Sequence, residues 1–234
     1  MTTIEEIIQT YDTILKVADT NAMRQSERAP GGVLRALKGA LHEQITGEMI
    51  KIAWHNLGGS EDRLDVNSKK IPIPICQSYI DGIQDQEIKG HIQQNVKDYF
   101  YRLSVDKHIS IDGRFVMAIE CKAYTENAML KRVLVDFHLL KSIHQDIICF
   151  LFQLESQLGG DYSELPNTAL GSYPTHSIMS YFPNVDLQIF TLLAGERKVK
   201  KPIHKPEFFK PLKRENVEKG VKLLEHHMER FLQN

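Results

Sequence analysis

The chain has 234 residues, a length typical of one domain with a large core. It is 42% hydrophobic and 25% charged, as is usual for soluble proteins, and no apolar run approaches the roughly 20 residues that a membrane span needs. The formal net charge of −1 argues at first against a nucleic-acid binder, because such proteins are often basic overall.

The N-terminus and the cysteines favour a cytoplasmic location. The N-terminus is acidic and amphipathic, unlike a signal peptide. Cys76, Cys121 and Cys149 are odd in number and lack CxxC spacing, which argues against a disulfide scaffold or a zinc site and suits a reducing compartment.

The first half of the chain is predicted to be mainly helical, because its apolar residues recur at helical spacing. Its prolines and glycines mark the breaks between helices. In chain order, we expect a helix at 4–22, a loop at 24–32, a helix at 33–56, a loop at 60–70, an extended stretch at 71–75 and a helix at 84–99.

In the second half the period changes to alternation. Strands are predicted at 101–111 and 114–122 around Asp112-Gly113, the dipeptide typical of a tight hairpin turn. We then expect a helix at 126–142, a strand buried on both faces at 147–154, a loop at 159–174, a strand at 186–193 and a helix at 215–232. This order predicts an α/β sandwich with the hairpin at its centre.

The near-neutral total conceals a separation of charge along the chain. Residues 197–222 hold ten Lys or Arg and three acidic residues, a net charge of +7, so the other residues together carry −8. Two interpretations stay open: a solvated surface segment, or one that faces a polyanion, because clustered Lys and Arg make phosphate contacts. The prolines at 202, 206 and 211 are expected to keep the segment extended.

One group of charged side chains stands out on the predicted hairpin. Glu120 and Lys122 lie two positions apart on a strand and therefore point to the same face. Folding the chain at the turn places Asp106 opposite Ile119, within one residue of Glu120. Oxygen ligands from two carboxylates suit Mg²⁺, and a lysine beside them can position or deprotonate a water or stabilise developing charge. These residue types therefore suit metal-dependent hydrolysis of a phosphodiester.

The E-x-K pattern is weak evidence by itself, because the chain contains it three times. The matches at 87–89 and 196–198 fall in a predicted helix and in the basic segment. Only Glu120 and Lys122 end a strand that has an acid on its hairpin partner. A cross-strand ion cluster without catalysis is the alternative interpretation. The sequence contains no P-loop, GxGxxG, HExxH or GxSxG motif.

Asp106, then 13 residues, then Glu120-x-Lys122, on a hairpin between two helices, resembles the PD-(D/E)xK nuclease fold. Within that superfamily the chain most resembles type II restriction endonucleases. The similarity is strongest over 105–137, VDKHISIDGRFVMAIECKAYTENAMLKRVLVDF. Val105 stands where the motif has proline, a position that commonly varies in the superfamily.

The resemblance implies a central mixed β-sheet with a catalytic hairpin flanked by helices, in a single nuclease domain over 1–234. Its catalytic core would span 31–154, with C-terminal additions at 155–234. It also implies Mg²⁺-dependent, sequence-specific cleavage of double-stranded DNA by a homodimer, with one or two Mg²⁺ per active site and a cognate DNA methyltransferase as its companion. Asp106 and Glu120 would bind metal, and Lys122 would serve the attacking water.

Such folds often place a further glutamate on the first core helix, and two candidates exist here. With Leu41 at zero and about 100° per residue, Glu48 falls at about −20°, within the apolar stripe, and Glu43 near 200°, on the opposite face. Because a charge in the inward stripe needs a partner, we prefer Glu48 as a catalytic residue and keep Glu43 as the alternative.

DNA contacts are expected from polar and basic residues near the catalytic strand and in the basic segment, because such side chains read base edges and hold phosphates. The alternative for each is a solvated surface residue. The candidates are Tyr124, Thr125, Asn127, Lys131, Arg132, Arg197, Lys198, Lys200 and Lys201.

Two further functions stay open at this point. One is a repair or recombination nuclease of the same fold, which sequence-specific double-strand cleavage would distinguish from a restriction enzyme. The other is a catalytically inactive DNA-binding or scaffold protein. The presence of Asp106, Glu120 and Lys122 together argues against an inactive protein.

Overall fold

The computed structural model describes residues 2–24, 30–160, 162, 171–197 and 210–232, with the backbone alone for 15–24 and 30–36. The helices are α1 (Ile4–Arg24), α2 (Pro30–Asn56), α3 (Gln77–Gly82), α4 (Gln86–Gln94), α5 (Asn127–Ile143), α6 (Tyr173–Ser180) and α7 (Arg214–Met228). The strands are β1 (Leu64–Asn67), β2 (Ile71–Ile73), β3 (Tyr101–Leu103), β4 (Lys107–Ile111), β5 (Arg114–Thr125), β6 (Ile148–Ser156) and β7 (Gln188–Thr191).

A mixed five-stranded sheet with the order β1-β4-β5-β6-β7 forms the centre of the fold, and β2 and β3 form a separate two-stranded sheet. β1, β4 and β5 pair antiparallel, whereas β5, β6 and β7 pair parallel. α5 makes the crossover from β5 to β6, as a parallel pair requires. The expected α/β architecture with a central mixed sheet is therefore confirmed.

The hairpin of β4 and β5 turns at Asp112 and Gly113, as the sequence indicates. Both residues have positive φ, 52° and 74°, which a two-residue hairpin turn of this kind needs and which Asp-Gly supplies. The Asp112 carboxylate is also held by Arg63, at 2.9 and 2.6 Å. The turn is thus fixed both by its own residues and by the chain before β1.

An irregularity in the hairpin changes its predicted register. Ile109 pairs with Met117 but Ser110 pairs with Phe115, so β5 contains one extra residue, and Lys107 lies opposite Ile119. The expectation that Asp106 lies opposite Ile119 is therefore wrong by one residue. Asp106 instead lies in the bend before β4, beside the position of Glu120. A bulge of this kind leaves no mark in the alternation of apolar residues.

Helices cover both faces of the sheet. On one face α1, α2 and α7 pack over β5 and β6, around buried residues such as Trp54, Phe150 and Phe190. On the other face α5 and α6 cover a second core that includes Phe137 and Leu151. β6 lies between the two cores and is buried along almost its whole length, as its continuous apolar sequence predicts. β7 and α7 belong to the same sheet and the same cores as the residues before 154.

Several predicted elements differ from the observed ones. The stretch 60–70 contains β1, whose half-exposed residues lack a clear apolar pattern, and 84–99 is α4 followed by a short 3-10 turn. The predicted strand 101–111 is interrupted at 104–106, and its first part, β3, pairs with β2 instead. The short helices α3 and α6 were not predicted from the sequence. They have six and eight residues, too few to show a helical period.

Across the described residues, none of the helices combines enough length with enough apolar character to pass through a bilayer.

Gly220 is expected to be needed for the packing of α7 against α2 and β7. A Cβ at this position would lie 2.8 Å from Phe190 Cε1 and still closer to Met49 Cε. We expect Gly220→Ala to lower the free energy of unfolding by about 1–2 kcal/mol, since overpacking outweighs the gain in helix propensity. Gly90→Ala in α4 is the matched control, because its Cβ meets nothing within 4 Å, and it should be neutral or stabilising. Urea midpoints check both, and equal effects would contradict the packing argument.

Candidate active site

Asp106, Glu120 and Lys122 lie together at one end of the hairpin. Lys122 Nζ lies 3.7 Å from Asp106 Oδ2 and forms a closer, hydrogen-bonded ion pair with Glu120 Oε1. Asp106 Oδ2 also accepts the backbone N–H of Cys121 at 2.7 Å, which ties the bend before β4 to β5. The structure therefore brings together the three residues that the sequence singled out.

Burial and mutual charge determine the electrostatics of this group. Glu120 is 8% exposed, and burial raises the pKa of its carboxyl although the Lys122 charge opposes the rise. Burial alone would lower the pKa of Lys122, but the carboxylates of Glu120 and Asp106 outweigh it and the pKa is raised. The ammonium group of Lys122 thus offsets the negative charge of two carboxyl groups that are only partly exposed to water.

Asp136 on α5 is a further acid near this group that sequence reasoning missed. Its carboxyl interacts electrostatically with Lys122 and with Glu120, and burial raises its pKa while Arg132 and Lys122 oppose the rise. Its side chain is 14% exposed, and Arg132 Nε lies 3.7 Å from it. The sequence feature that could have indicated Asp136 is its position beside the apolar helix face that Val133, Phe137 and Leu140 form.

Gln153 on β6 is a second residue that the sequence did not single out. It pairs with Lys122 in the parallel ladder and is completely buried, and its Nε2 donates to Thr191 Oγ1 on β7 at 3.0 Å. It therefore joins β7 to the strand beside the charged group. The sequence feature that could have indicated Gln153 is a single amide in the otherwise apolar predicted strand at 147–154.

The preferred helix acid, Glu48, does not lie beside this group, and the alternative, Glu43, does. Burial and the charge of Asp106 raise the pKa of Glu43, with Lys107 and Lys122 opposing. Glu48 instead pairs with Lys51 at 3.0 Å. The buried face of α2 is centred on His42 and Met49, not on the Leu41 side, so the two glutamates flank it on opposite sides, each about 110° away.

His42 is a core residue of α2 that interacts with the charge of Lys122. It is completely buried, and burial, together with the Lys122 charge, lowers the pKa of its imidazole to about 3. A neutral ring at this place avoids a second buried cation next to Lys122.

The donor chemistry of the site is oxygen, from Asp106 and Glu120. Among the described residues, no group of three or more His, Cys, Asp or Glu side chains is close enough to hold a metal ion by itself. Two carboxylates still fit a hard cation that keeps several water ligands.

Sequence comparison decides the family. Over 229 residues, 96% of this chain and 95% of its relative, the sequence is 53% identical to the type II restriction enzyme DdeI of Desulfomicrobium norvegicum (strain DSM 1741 / NCIMB 8310). The chain belongs to the type II restriction endonucleases. No model of a protein family matches it. The predicted enzyme class, a site-specific deoxyribonuclease, is confirmed.

Two of the predicted DNA-contacting residues of this endonuclease stack on each other. The Arg197 guanidinium lies 3.8 Å from the centre of the Tyr124 ring, and the Arg197 backbone N–H donates to Ser156 O at the end of β6. Tyr124 is half-buried and follows Lys122 by two residues on β5. The pair therefore places a cation over the residue that lies two positions beyond Lys122 on β5.

The other candidates after β5 differ in exposure. Lys131 and Arg132 lie on the exposed surface of α5, so the structure leaves them as candidates for contact with DNA. Thr125 is completely buried, so its side chain offers no exposed surface for the predicted DNA contact in this structure. Asn127 Oδ1 accepts the Thr175 hydroxyl at 2.8 Å and so joins α5 to α6.

Three described cations of the basic segment pair with carboxylates. Lys210 Nζ lies 3.4 Å from Glu155, which is 6% exposed, and Lys213 and Arg214 pair with Glu215 and Glu218. Residues 214–222 belong to α7 and not to an extended segment. Lys198, Lys200 and Lys201, with the prolines at 202 and 206, lie outside the described residues.

Exchanging each glutamate of α2 for glutamine tests which one serves this endonuclease. We expect Glu43→Gln to slow DNA cleavage by about tenfold or more, since it removes a charge that interacts with Asp106 and Lys122. Glu48→Gln should cleave like the wild type, because Glu48 contacts Lys51. Cleavage rates at saturating Mg²⁺ check the pair, and the reverse order of effects would restore Glu48.

Proposed function

We propose that this type II restriction endonuclease hydrolyses phosphodiester bonds of double-stranded DNA in a Mg²⁺-dependent reaction, with Asp106, Glu120 and Lys122 as its catalytic residues. The observation that supports this proposal is the contact of one lysine ammonium with both carboxylates at the end of the hairpin. The catalytic core would span 31–154, and the residues at 155–234 would add recognition elements to the same domain.

The residues present fit Mg²⁺ as the cofactor. Asp106 and Glu120 offer carboxylate oxygens, the ligands that Mg²⁺ prefers, and their side chains are 25% and 11% exposed, so water has access to complete a coordination shell. One or two ions would be held. When bound, the metal supplies a Lewis acid that offsets negative charge on the phosphate and favours ionisation of water.

The protein's own groups have separate tasks in this scheme. The Cys121 N–H holds Asp106 Oδ2, so the carboxylate keeps its direction as DNA enters. Lys122 Nζ is within reach of both carboxylates and of the space between them, where it donates to the attacking water or to a phosphate oxygen. Glu43 adds a third carboxyl group from α2.

DNA would lie along the end of the sheet where β5 and β6 finish. Tyr124 and Arg197 line this end, and Lys131 and Arg132 extend it along α5, with Lys198, Lys200 and Lys201 following in the sequence. A palindromic target would be matched by a homodimer with two-fold symmetry. We further propose a cytoplasmic location and a cognate DNA methyltransferase as companion.

Removing the lysine or one carboxylate separates catalysis from binding. We expect Lys122→Ala to slow cleavage by about 100-fold or more while DNA binding is kept, because the ammonium acts on the reacting groups. Asp106→Asn should weaken Mg²⁺-dependent cleavage comparably. Lys89→Ala on α4, whose Nζ donates to Asp81 O, is the control. Plasmid cleavage and gel-shift assays check these variants, and near-wild-type cleavage by Lys122→Ala would overturn the assignment.

A salt titration tests the role of Arg197. We expect Arg197→Ala to weaken DNA binding and to reduce the slope of log K against log salt by about one, as loss of one phosphate contact does. Arg114→Ala is the matched control, since Arg114 begins β5, about 26 Å of strand before Lys122, and pairs with Asp146. Fluorescence anisotropy at several salt concentrations measures both, and identical slopes for all three proteins would exclude the contact.

A further inference from the structure

The bend that carries Asp106 is held by an unusual acceptor. The backbone N–H of Val105 donates to Nε2 of His108, three residues later, at 3.2 Å. Val105 is 2% exposed and His108 is 3% exposed, so water does not compete for this hydrogen bond. An imidazole nitrogen that accepts carries no proton, which places the ring proton on Nδ1.

Val105 makes such an acceptor necessary. A proline at this position, as in the PD motif, has no N–H and fixes its own φ, so the bend would need no partner there. Valine adds a donor and has a φ that no ring fixes. A buried N–H without a partner is costly, and in this chain the side chain of His108 supplies the partner.

Asp106 is thereby held from two sides. Its carboxylate accepts the Cys121 N–H from β5, and the backbone just before it is tied to His108 on β4. His108 is itself fixed, because it pairs with Ala118 in the hairpin and its ring lies 5.2 Å from the ring of Phe115. Loss of either hydrogen bond would let the carboxylate move relative to Glu120.

We propose that His108 is a positioning residue for Asp106, whose imidazole replaces, by accepting the Val105 N–H, the rigidity that a proline at position 105 would provide. This inference rests on the proposed function, in which Asp106 is a metal ligand. It assigns to a histidine outside the Asp-Glu-Lys group a role in metal binding and cleavage that involves no contact with either metal or DNA.

Four variants test the proposal. His108→Leu removes the acceptor at similar volume, and His108→Gln keeps an acceptor on a side chain of similar reach. Val105→Pro, alone and combined with His108→Leu, removes the donor. His144→Leu is the matched control, because His144 also lies 5.2 Å from the Phe115 ring but belongs to the end of α5 and not to the hairpin. Each variant is assayed for thermal unfolding in EDTA, for binding of Mn²⁺ without DNA, and for cleavage with Mg²⁺.

We expect His108→Leu to lose about 10- to 100-fold in Mn²⁺ affinity and in cleavage rate, the usual cost of removing a residue that orients a ligand. His108→Gln and His144→Leu should stay near the wild type. Val105→Pro should restore the His108→Leu variant in all three measurements, since the donor that needs His108 is gone. This non-additivity is the signature of the hydrogen bond.

The proposal is overturned if folded His108→Leu binds Mn²⁺ and cleaves like the wild type, or if His144→Leu loses as much. It is also overturned if Val105→Pro folds but fails to restore His108→Leu. If Val105→Pro does not fold, the comparison of leucine with glutamine at position 108 decides. Asp106→Asn in the same assays separates the two claims. If this variant behaves like the wild type, Asp106 is not a metal ligand. If it loses Mn²⁺ binding and cleavage while His108→Leu stays normal, only the positioning role is refuted.

Discussion

The arrangement of two carboxylates around one half-buried lysine is the constraint on which the site depends. Glu120 is almost completely buried, and an unpaired carboxylate there would be costly, so Lys122 must lie against it. Asp106 can join them only because the end of the hairpin brings the bend before β4 next to Cys121. The same pairing that stabilises the protein therefore brings together two carboxylates and an ammonium group, to which we assign the proposed chemistry.

β5 connects this site to the rest of the fold. On one side it pairs antiparallel with β4, which positions Asp106, and on the other it pairs parallel with β6, which places Gln153 beside Lys122. At its end, Tyr124 receives the guanidinium of Arg197. Glu120, Lys122 and Tyr124 thus come from one strand, so their spacing is set by the ladder, whereas Asp106 and Arg197 lie in the segments before β4 and after β7.

The positive charges of residues 197–222 act more locally than the sequence suggested. Three described cations of the basic segment, Lys210, Lys213 and Arg214, pair with carboxylates. Two of these ion pairs join the C-terminal part to other elements: Lys210 pairs with Glu155 of β6, and Arg214 pairs with Glu5 of α1. Arg197 instead stacks on Tyr124, and in our proposal it contacts DNA.

The sequence by itself determined the hairpin, the buried strand β6, and the identity of Asp106, Glu120 and Lys122, because a tight turn, a two-residue period and a motif are local properties of the chain. It did not determine the register at Asp106, because the extra residue of β5, Val116, leaves no mark in the alternation of apolar residues. Nor did it show that Glu43, and not Glu48, interacts with Asp106, which follows from the face of α2 that packs on β5. Asp136 likewise comes near Lys122 only through the packing of α5 on β5, which tertiary structure alone decides.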